Sequence, residues 1–164
     1  MSMSPAAKVV PPPLIREVVA AVLTCRGRVC MVRRSQHVHT DVGFWHCVTG
    51  YLPRRSSPVT HMLMEIEEEV GIAARDLTLR GRRSMELPGG WRVHAFHFES
   101  RSDEVILNWE HDSVVWLAPE QLGTLRTVQW LGNILSAVEE TLPCWRRGDL
   151  SPSRRVRSMH ESTS

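Results

Sequence analysis

Three glutamates, Glu65, Glu68 and Glu69, stand in the run Glu65-Ile66-Glu67-Glu68-Glu69-Val70-Gly71-Ile72. Wound as a helix, they fall within one sector about 100° wide, with Glu67 on the far side. Gathering carboxylates on one face costs a few tenths of a kcal/mol for each pair four residues apart (roughly 0.2–0.5). A bound Mg²⁺ or Mn²⁺ reverses that sign, because hard cations prefer carboxylate oxygen and keep water sites for a phosphate-bearing partner. A solvated acidic face is the alternative reading. His61 lies one turn before Glu65 on the acidic side. It could orient Glu65 or join a metal shell, or be an ordinary surface pair at i,i+4 spacing.

A helix must present these groups, and the local sequence provides one. Ser56 or Ser57 can cap it, Pro58 suits its first turn and Gly71 its end, giving a helix over 58–70. Val59, Met62, Leu63, Ile66 and Val70 form an apolar stripe beside the acidic one. Upstream, EVVAAVLTC and VCMVRR flank Arg26-Gly27-Arg28 as a hairpin, residues 36–44 read as loop, and Phe44–Val48 is a short apolar run feeding Gly50. Downstream, LTLRGRRSMEL and WRVHAFHFES flank Pro88-Gly89-Gly90 as a second hairpin. In its second arm Trp91, Val93 and Ala95 point one way while Phe96 and Phe98 point the other, which predicts a sheet covered on both faces. EVILNW and SVVWL read as further strands, and the spacing of Val128, Leu131, Ile134, Leu135, Val138 and Leu142 predicts a helix over 127–142.

A length of 164 residues, 42% hydrophobic and 23% charged, suits one soluble domain with a core. No apolar run reaches a membrane span, and the start of the chain lacks a secretory pattern, so a cytoplasmic location is expected. Cys25, Cys30, Cys47 and Cys144 have no zinc spacing and are read as reduced, packed thiols. Residues 146–164 carry five Arg against Asp149 and Glu161, so the net charge of +2 leaves the rest of the chain at −1. The body of the chain therefore has no nucleic-acid-binding character, and only the basic tail offers a contact to RNA or an acidic partner.

Residues 50–72 resemble the box of the Nudix hydrolases: G, five residues, E, seven residues, R-E-U-x-E-E-x-G-U, with U aliphatic. Counted from Gly50, the chain keeps Gly50, Glu65, Ile66, Glu68, Glu69, Gly71 and Ile72 but has Ser56 for the first Glu and Met64 for the Arg. Trp45-His46-Cys47-Val48-Thr49-Gly50-Tyr51 resembles the family's lead-in, and Glu110-His111 followed by Trp116–Leu122 resembles its close. The resemblance covers roughly residues 15–142. It implies a single α/β/α sandwich with a mixed sheet over 15–145 and the two helices on opposite sides. A Pro-rich extended arm over 1–14 and a disordered Arg/Ser-rich tail over 146–164 complete the expected organisation.

The resemblance further implies metal-dependent hydrolysis of a diphosphate linkage in a nucleoside diphosphate derivative or related pyrophosphate. Glu65, Glu68 and Glu69 would hold Mg²⁺ or Mn²⁺, Glu65 and Glu68 would be catalytic, and Glu65 would come closest to a general base. Glu110 stands where some members supply a further carboxylate, or it partners a backbone amide or Arg92. Met64 cannot position a carboxylate as the family Arg does. Slower turnover is one consequence; the other is a catalytically impaired domain that binds a nucleotide, RNA or protein. Substrate-binding residues stay open: Trp45, Trp91 and Phe96 could stack on a base or belong to the core. Oligomeric state is not legible.

Overall fold

The computed structural model describes residues 14–143. The arm over 1–13, the tail over 146–164 and Cys144 lie outside them. Strands β1 (Arg16–Cys25) and β2 (Arg28–Arg34) turn through Arg26 and Gly27, both at positive φ (50° and 77°). That backbone hand matches the twist of a two-residue hairpin. The two strands stay paired only at Thr24↔Val29 and Cys25↔Arg28, and then diverge. Beyond the fork, β2 pairs with β7 (His111–Leu117), while Val18–Ala21 of β1 pair with β4 (Val48–Tyr51). Strand β3 (Trp45–His46) lies on β2, so the chain bridges the fork between Trp45 and Tyr51. On the other side β1 runs parallel to β6 (Trp91–Ser100), which pairs antiparallel with β5 (Leu77–Leu87). The sheet is mixed.

Its two faces carry separate cores, as the alternation in β6 requires. Phe96 and Phe98 join Val19, Ala21 and Leu23 under Met62, Ile66 and Val70 of α1 (Pro58–Val70). Val93 and Ala95 join Ala20, Val22 and Met31 under Leu131, Ile134 and Leu135 of α2 (Leu131–Ala137). The helices therefore lie on opposite sides. Full burial of each large apolar side chain contributes roughly 1.5–3 kcal/mol, so the stripe on α1 holds it to the sheet.

Two elements differ from their sequence pattern. The helix expected over 127–142 is confined to Leu131–Ala137, followed by a 3-10 turn at Glu139–Thr141. Trp45 N–H donates to Arg126 O at 2.9 Å and Val128 N–H donates to Trp45 O at 3.0 Å. These bonds hold residues 126–128 extended beside β3, where helical dihedrals are not available. The periodic residues are nevertheless buried as expected, Val128 and Leu142 included. The expected strand EVILNW is a docked segment. Ile106 N–H donates to Val70 O at 3.0 Å and Asn108 N–H to Glu69 O at 3.3 Å. The carbonyls left over at the end of α1 take the bonds that a strand neighbour would have taken. The expected SVVWL strand forms within β7.

Cys25, Cys30 and Cys47 are free and buried, and burial pushes the Cys30 thiol up to about 12. His97 is buried between Thr24 Oγ1 (2.7 Å from Nε2) and Thr141 Oγ1 (2.9 Å from Nδ1). Burial pushes its pKa down from 6.5 to about 4, with Glu99 opposing and Arg80 adding. A neutral buried His contributes stability above pH 6.5 that is lost as pH falls toward 4. His97→Gln should flatten the pH dependence of the thermal midpoint in that window, an effect of about 1–2 kcal/mol at pH 5. Melting curves at pH 7 and 5 that move in parallel for variant and wild type would contradict it. Among the described residues, no helix is long and apolar enough to cross a membrane.

Candidate active site

Helix α1 begins and ends where its local chemistry dictates. The Ser57 hydroxyl accepts from Thr60 N–H at 3.5 Å, Pro58 occupies the first turn, and Gly71 closes the helix at φ 71°. A Cβ on Gly71 would also approach Ile106 Cβ to 3.1 Å, so this glycine admits the docked 104–109 segment. Gly50 has a second steric role. A Cβ there would sit 2.4 Å from Glu65 Cδ and 2.6 Å from its Oε1. The Glu65 carboxylate thus lies against bare β4 backbone, which no other residue type would permit.

Glu69, one turn on, is 2% exposed. Thr49 N–H of β4 and the Glu110 carboxyl act on its carboxylate, and its Oε2 has no hydrogen-bond partner among the described residues. Burial first, then Glu110 and Glu65, push the Glu69 carboxyl up to about 10, against the pull of Thr49. Glu65 is also raised, by burial and by Glu68 and Glu110, with His61 opposing. His61 Nε2 lies 2.9 Å from Glu65 Oε1, close enough for an ion pair but not aligned as a hydrogen bond. No Lys or Arg ion pair reaches Glu65, Glu69 or Glu110 among the described residues.

The sequence-predicted residues therefore separate. Glu65, Glu69, Glu110 and His61 come together. Glu68 is exposed at the rim, near enough to act electrostatically on Glu65 but outside the cleft lining. Glu110 meets Glu69 and not Arg92, whose partners are Glu17 and Glu86. The docked segment brings it there: Glu110 N–H donates to Asn108 Oδ1 at 3.1 Å and its carbonyl accepts from Ser35 N–H at 2.8 Å. Met64 is 53% exposed, and Arg54 and Arg55 are exposed in the turn before α1.

The carboxylates form one wall of a cleft of about 720 Å³ that opens beside the β3–β4 bridge. That volume lies inside the roughly 300–1,000 Å³ range of small-molecule sites. Arg34, held by Thr40 O at 2.8 Å from its Nε, is the one Arg or Lys lining it among the described residues. Trp91 and Trp130, edge to face at 5.6 Å, also line it. Of the aromatic candidates only Trp91 lines the cleft; Trp45 packs beside the α2 core and Phe96 lies in the α1 core. Sequence reasoning missed Arg34, which closes an ordinary strand, and Trp130, hidden inside an apparent helix. His94 is held by Ser84 Oγ and Glu17 Oε1, outside the cleft.

Among the described residues, no three acidic, His or Cys side chains already surround a metal-sized point, so the expected three-glutamate shell is not preassembled. The donor set nevertheless suits a hard divalent cation. Glu65, Glu69 and Glu110 present carboxylate oxygen, and the buried, partnerless Oε2 of Glu69 has unused acceptor capacity.

Three solved structures share this architecture. An Ap4A hydrolase from C. elegans, solved as a binary complex, superposes with TM-score 0.60 at 16% identity, over 75% of this chain and 94% of its own. A MutT protein from Methanosarcina mazei Go1 gives 0.61 at 23%, over 77% and 94%. A bifunctional NMN adenylyltransferase/ADP ribose pyrophosphatase from Francisella tularensis, complexed with AMP and a manganese ion, gives 0.65 at 17%, over 80% and 43%. Identities of this size establish a common fold. No curated protein sequence matches the chain. The NUDIX domain model matches residues 13–138, from the arm before β1 through α2, including the box with its Ser56 and Met64, and the chain belongs to the Nudix family.

Proposed function

We propose that the protein hydrolyses a diphosphate linkage in a nucleoside diphosphate derivative or related pyrophosphate with the aid of Mg²⁺ or Mn²⁺. The observation that carries this reading is the convergence of Glu65, Glu69 and Glu110 on one wall of a ligand-sized cleft, with no Lys or Arg ion pair to neutralise them. Family membership and the fold shared with the C. elegans and F. tularensis enzymes support it. Glu65, Glu69 and the rim residue Glu68 would hold the metal, with Glu110 as an auxiliary oxygen donor. A divalent cation held there would supply positive charge against the phosphate oxygens.

The chain's own residues do the rest. Glu65 accepts the proton of the attacking water at the carboxylate that Gly50 and His61 keep in place. Glu68 adds negative charge at the rim that raises the basicity of Glu65. Arg34 faces the cleft as the cation able to orient a phosphate. Water attack breaks one phosphorus–oxygen bridge and releases two phosphate-terminated products.

A screen of nucleotide sugars, dinucleoside polyphosphates and nucleoside triphosphates with Mg²⁺ or Mn²⁺ tests the reading. Turnover no greater than that of a Glu68→Gln control on every substrate would overturn it. Gly50→Ala is a second check. Its Cβ collides only with the mobile end of Glu65, so unfolding should change by less than about 1 kcal/mol. Turnover should fall roughly tenfold or more, because the base is displaced. A variant with full activity would remove Glu65 from the proposed role.

A second reading, a binding module, is favoured by one observation: no cation stands at position 64, where Met64 is exposed. It predicts saturable nucleotide binding without turnover in the same screen.

A further inference from the structure

We propose that the outer edge of the sheet, β5 from Arg82 to Leu87, docks an extended acidic segment of a partner protein, which adds to the sheet as a further strand. This surface is separate from the cleft and does not depend on the hydrolase reading. Backbone, grooves and charge carry it together.

Strand β5 ends the sheet, and β6 is its strand neighbour. An antiparallel strand directs alternate N–H and C=O groups away from its neighbour. Among the described residues, no backbone group outside the β5–β6 ladder bonds to residues 78–87. The open stretch has definite limits. The register slips between Leu79 and Gly81, and Thr141 packs at Gly81, where a Cβ would come 2.8 Å from its Oγ1. Beyond Leu87 the chain turns through Gly89 and Gly90. Residues 82–87 lie between these limits, about 20 Å of edge.

A groove flanks this stretch on each side of the sheet. Arg83 and Met85 pair with Ala95 and Val93 and so face the α2 side. There, with Asn133 and Ser136, they line a groove of about 560 Å³. Arg82 and Ser84 pair with Phe96 and His94 and so face the α1 side, where with Ser57 and Val59 they line a groove of about 280 Å³. A strand added to β5 sends its side chains alternately to the two sides. Its ladder bonds would supply affinity, and a groove for each set of alternate side chains would supply selectivity.

Charge chooses the occupant. Arg80 is engaged by Glu99 at 2.7 Å, and Glu86 by Arg92 at 3.0 Å. Arg82 and Arg83 are exposed and have no ion pair among the described residues. Pairing β5 with a second copy would bring both Arg82 and both Arg83 onto one short ladder, where like charges repel. The chain's own flanks fit no better. Residues 1–13 hold Lys8 and no acid, and residues 146–164 carry five Arg against Asp149 and Glu161. Two adjacent acidic residues in an extended partner segment would meet Arg82 on one side of the sheet and Arg83 on the other.

Fluorescence anisotropy of the full chain with a labelled peptide of alternating Thr and Val around a central Glu-Glu pair tests the edge. That peptide should bind saturably, about tenfold tighter than its Lys-Lys counterpart, and more weakly as salt rises. Arg82→Glu combined with Arg83→Glu should reverse the preference. Should that double variant fail to fold, Arg82→Gln with Arg83→Gln should still abolish it. N-methylation of alternate peptide nitrogens, which blocks the ladder and leaves charge unchanged, should weaken binding about tenfold or more. Bound peptide should also slow amide exchange within residues 82–87. Absence of saturable binding by the Glu-Glu peptide would overturn the proposal, as would equal binding of its N-methylated form. A dimer in light scattering that the Arg82→Glu, Arg83→Glu variant abolishes would assign the edge to a second copy instead. Tighter binding of an oligouridylate than of the peptide would assign the two guanidiniums to nucleic acid, and either result ends the proposal.

Discussion

Glu69→Gln should make the metal-free protein more stable and abolish its response to Mg²⁺ or Mn²⁺. The Glu69 carboxyl is 2% exposed and lies against Glu110, with Oε2 unpartnered. Its pKa rises from 4.5 to about 10, chiefly through burial. The folded state thus holds a proton that the unfolded state gives up. The stability linked to that proton is full below about pH 4.5 and drains away as pH rises toward 10. A glutamine keeps the acceptor for Thr49 N–H, offers Glu110 a donor, and has no charge to bury. Relief of the buried group contributes on the order of 1–3 kcal/mol near pH 8, a rise in midpoint of roughly 2–12 °C. The gap between variant and wild type should narrow as pH falls to 5. Saturating Mn²⁺ should stabilise wild type and not the variant, as ligand linkage requires. An unchanged midpoint together with intact Mn²⁺ binding would show that the cluster is an ordinary acidic surface.

The second large effect concerns Glu65 and the residue that holds it. Glu65→Gln should lower turnover by about 100-fold or more, the usual contribution of a positioned general base. His61→Ala should lower it less, roughly tenfold, with little change in KM. His61 Nε2 has Glu65 as its near neighbour, and Gly50 forms the opposite side of the carboxylate's slot. The cation that the box would place at position 64 is absent, and Met64 points into solvent by half its surface. On the proposed reading, His61 acts as a positioning residue from one turn earlier. Met64→Arg in the His61→Ala background should recover part of the lost turnover and of the Mn²⁺ affinity, measured by calorimetry. Failure of His61→Ala to alter either quantity would reduce the contact to a surface pair.

Much of this was legible from local chemistry. The limits of α1 follow from Ser57, Pro58 and Gly71, all acting within a few residues of chain. The two hairpins follow from Gly27 and from Gly89-Gly90, whose positive φ angles the turns require. The opposed faces of β6 follow from alternation alone, and the two cores confirm them. What was misread depended on partners distant in sequence. Residues 127–128 carry helical spacing but bond to Trp45, more than eighty residues back. Residues 104–109 carry strand composition but bond to the carbonyls that end α1. In both places a long-range hydrogen bond replaced the one that local pattern anticipated.

The candidate site divides along the same line. Sequence by itself determined the family and the acidic face of the helix, because periodicity and spacing are properties of a chain segment. It could also show that Ser56 and Met64 depart from the box. Only the tertiary structure decided that Glu69 is buried while Glu68 stays at the rim, since sheet packing sets burial and two residues one step apart on a helix meet different surroundings. Only tertiary structure brought Glu110 to Glu69, aligned bare Gly50 with Glu65, and set Trp130 against Trp91. These pairs join separate elements, and the physical reason they escape sequence is that their contacts exist only once two cores have packed on one sheet.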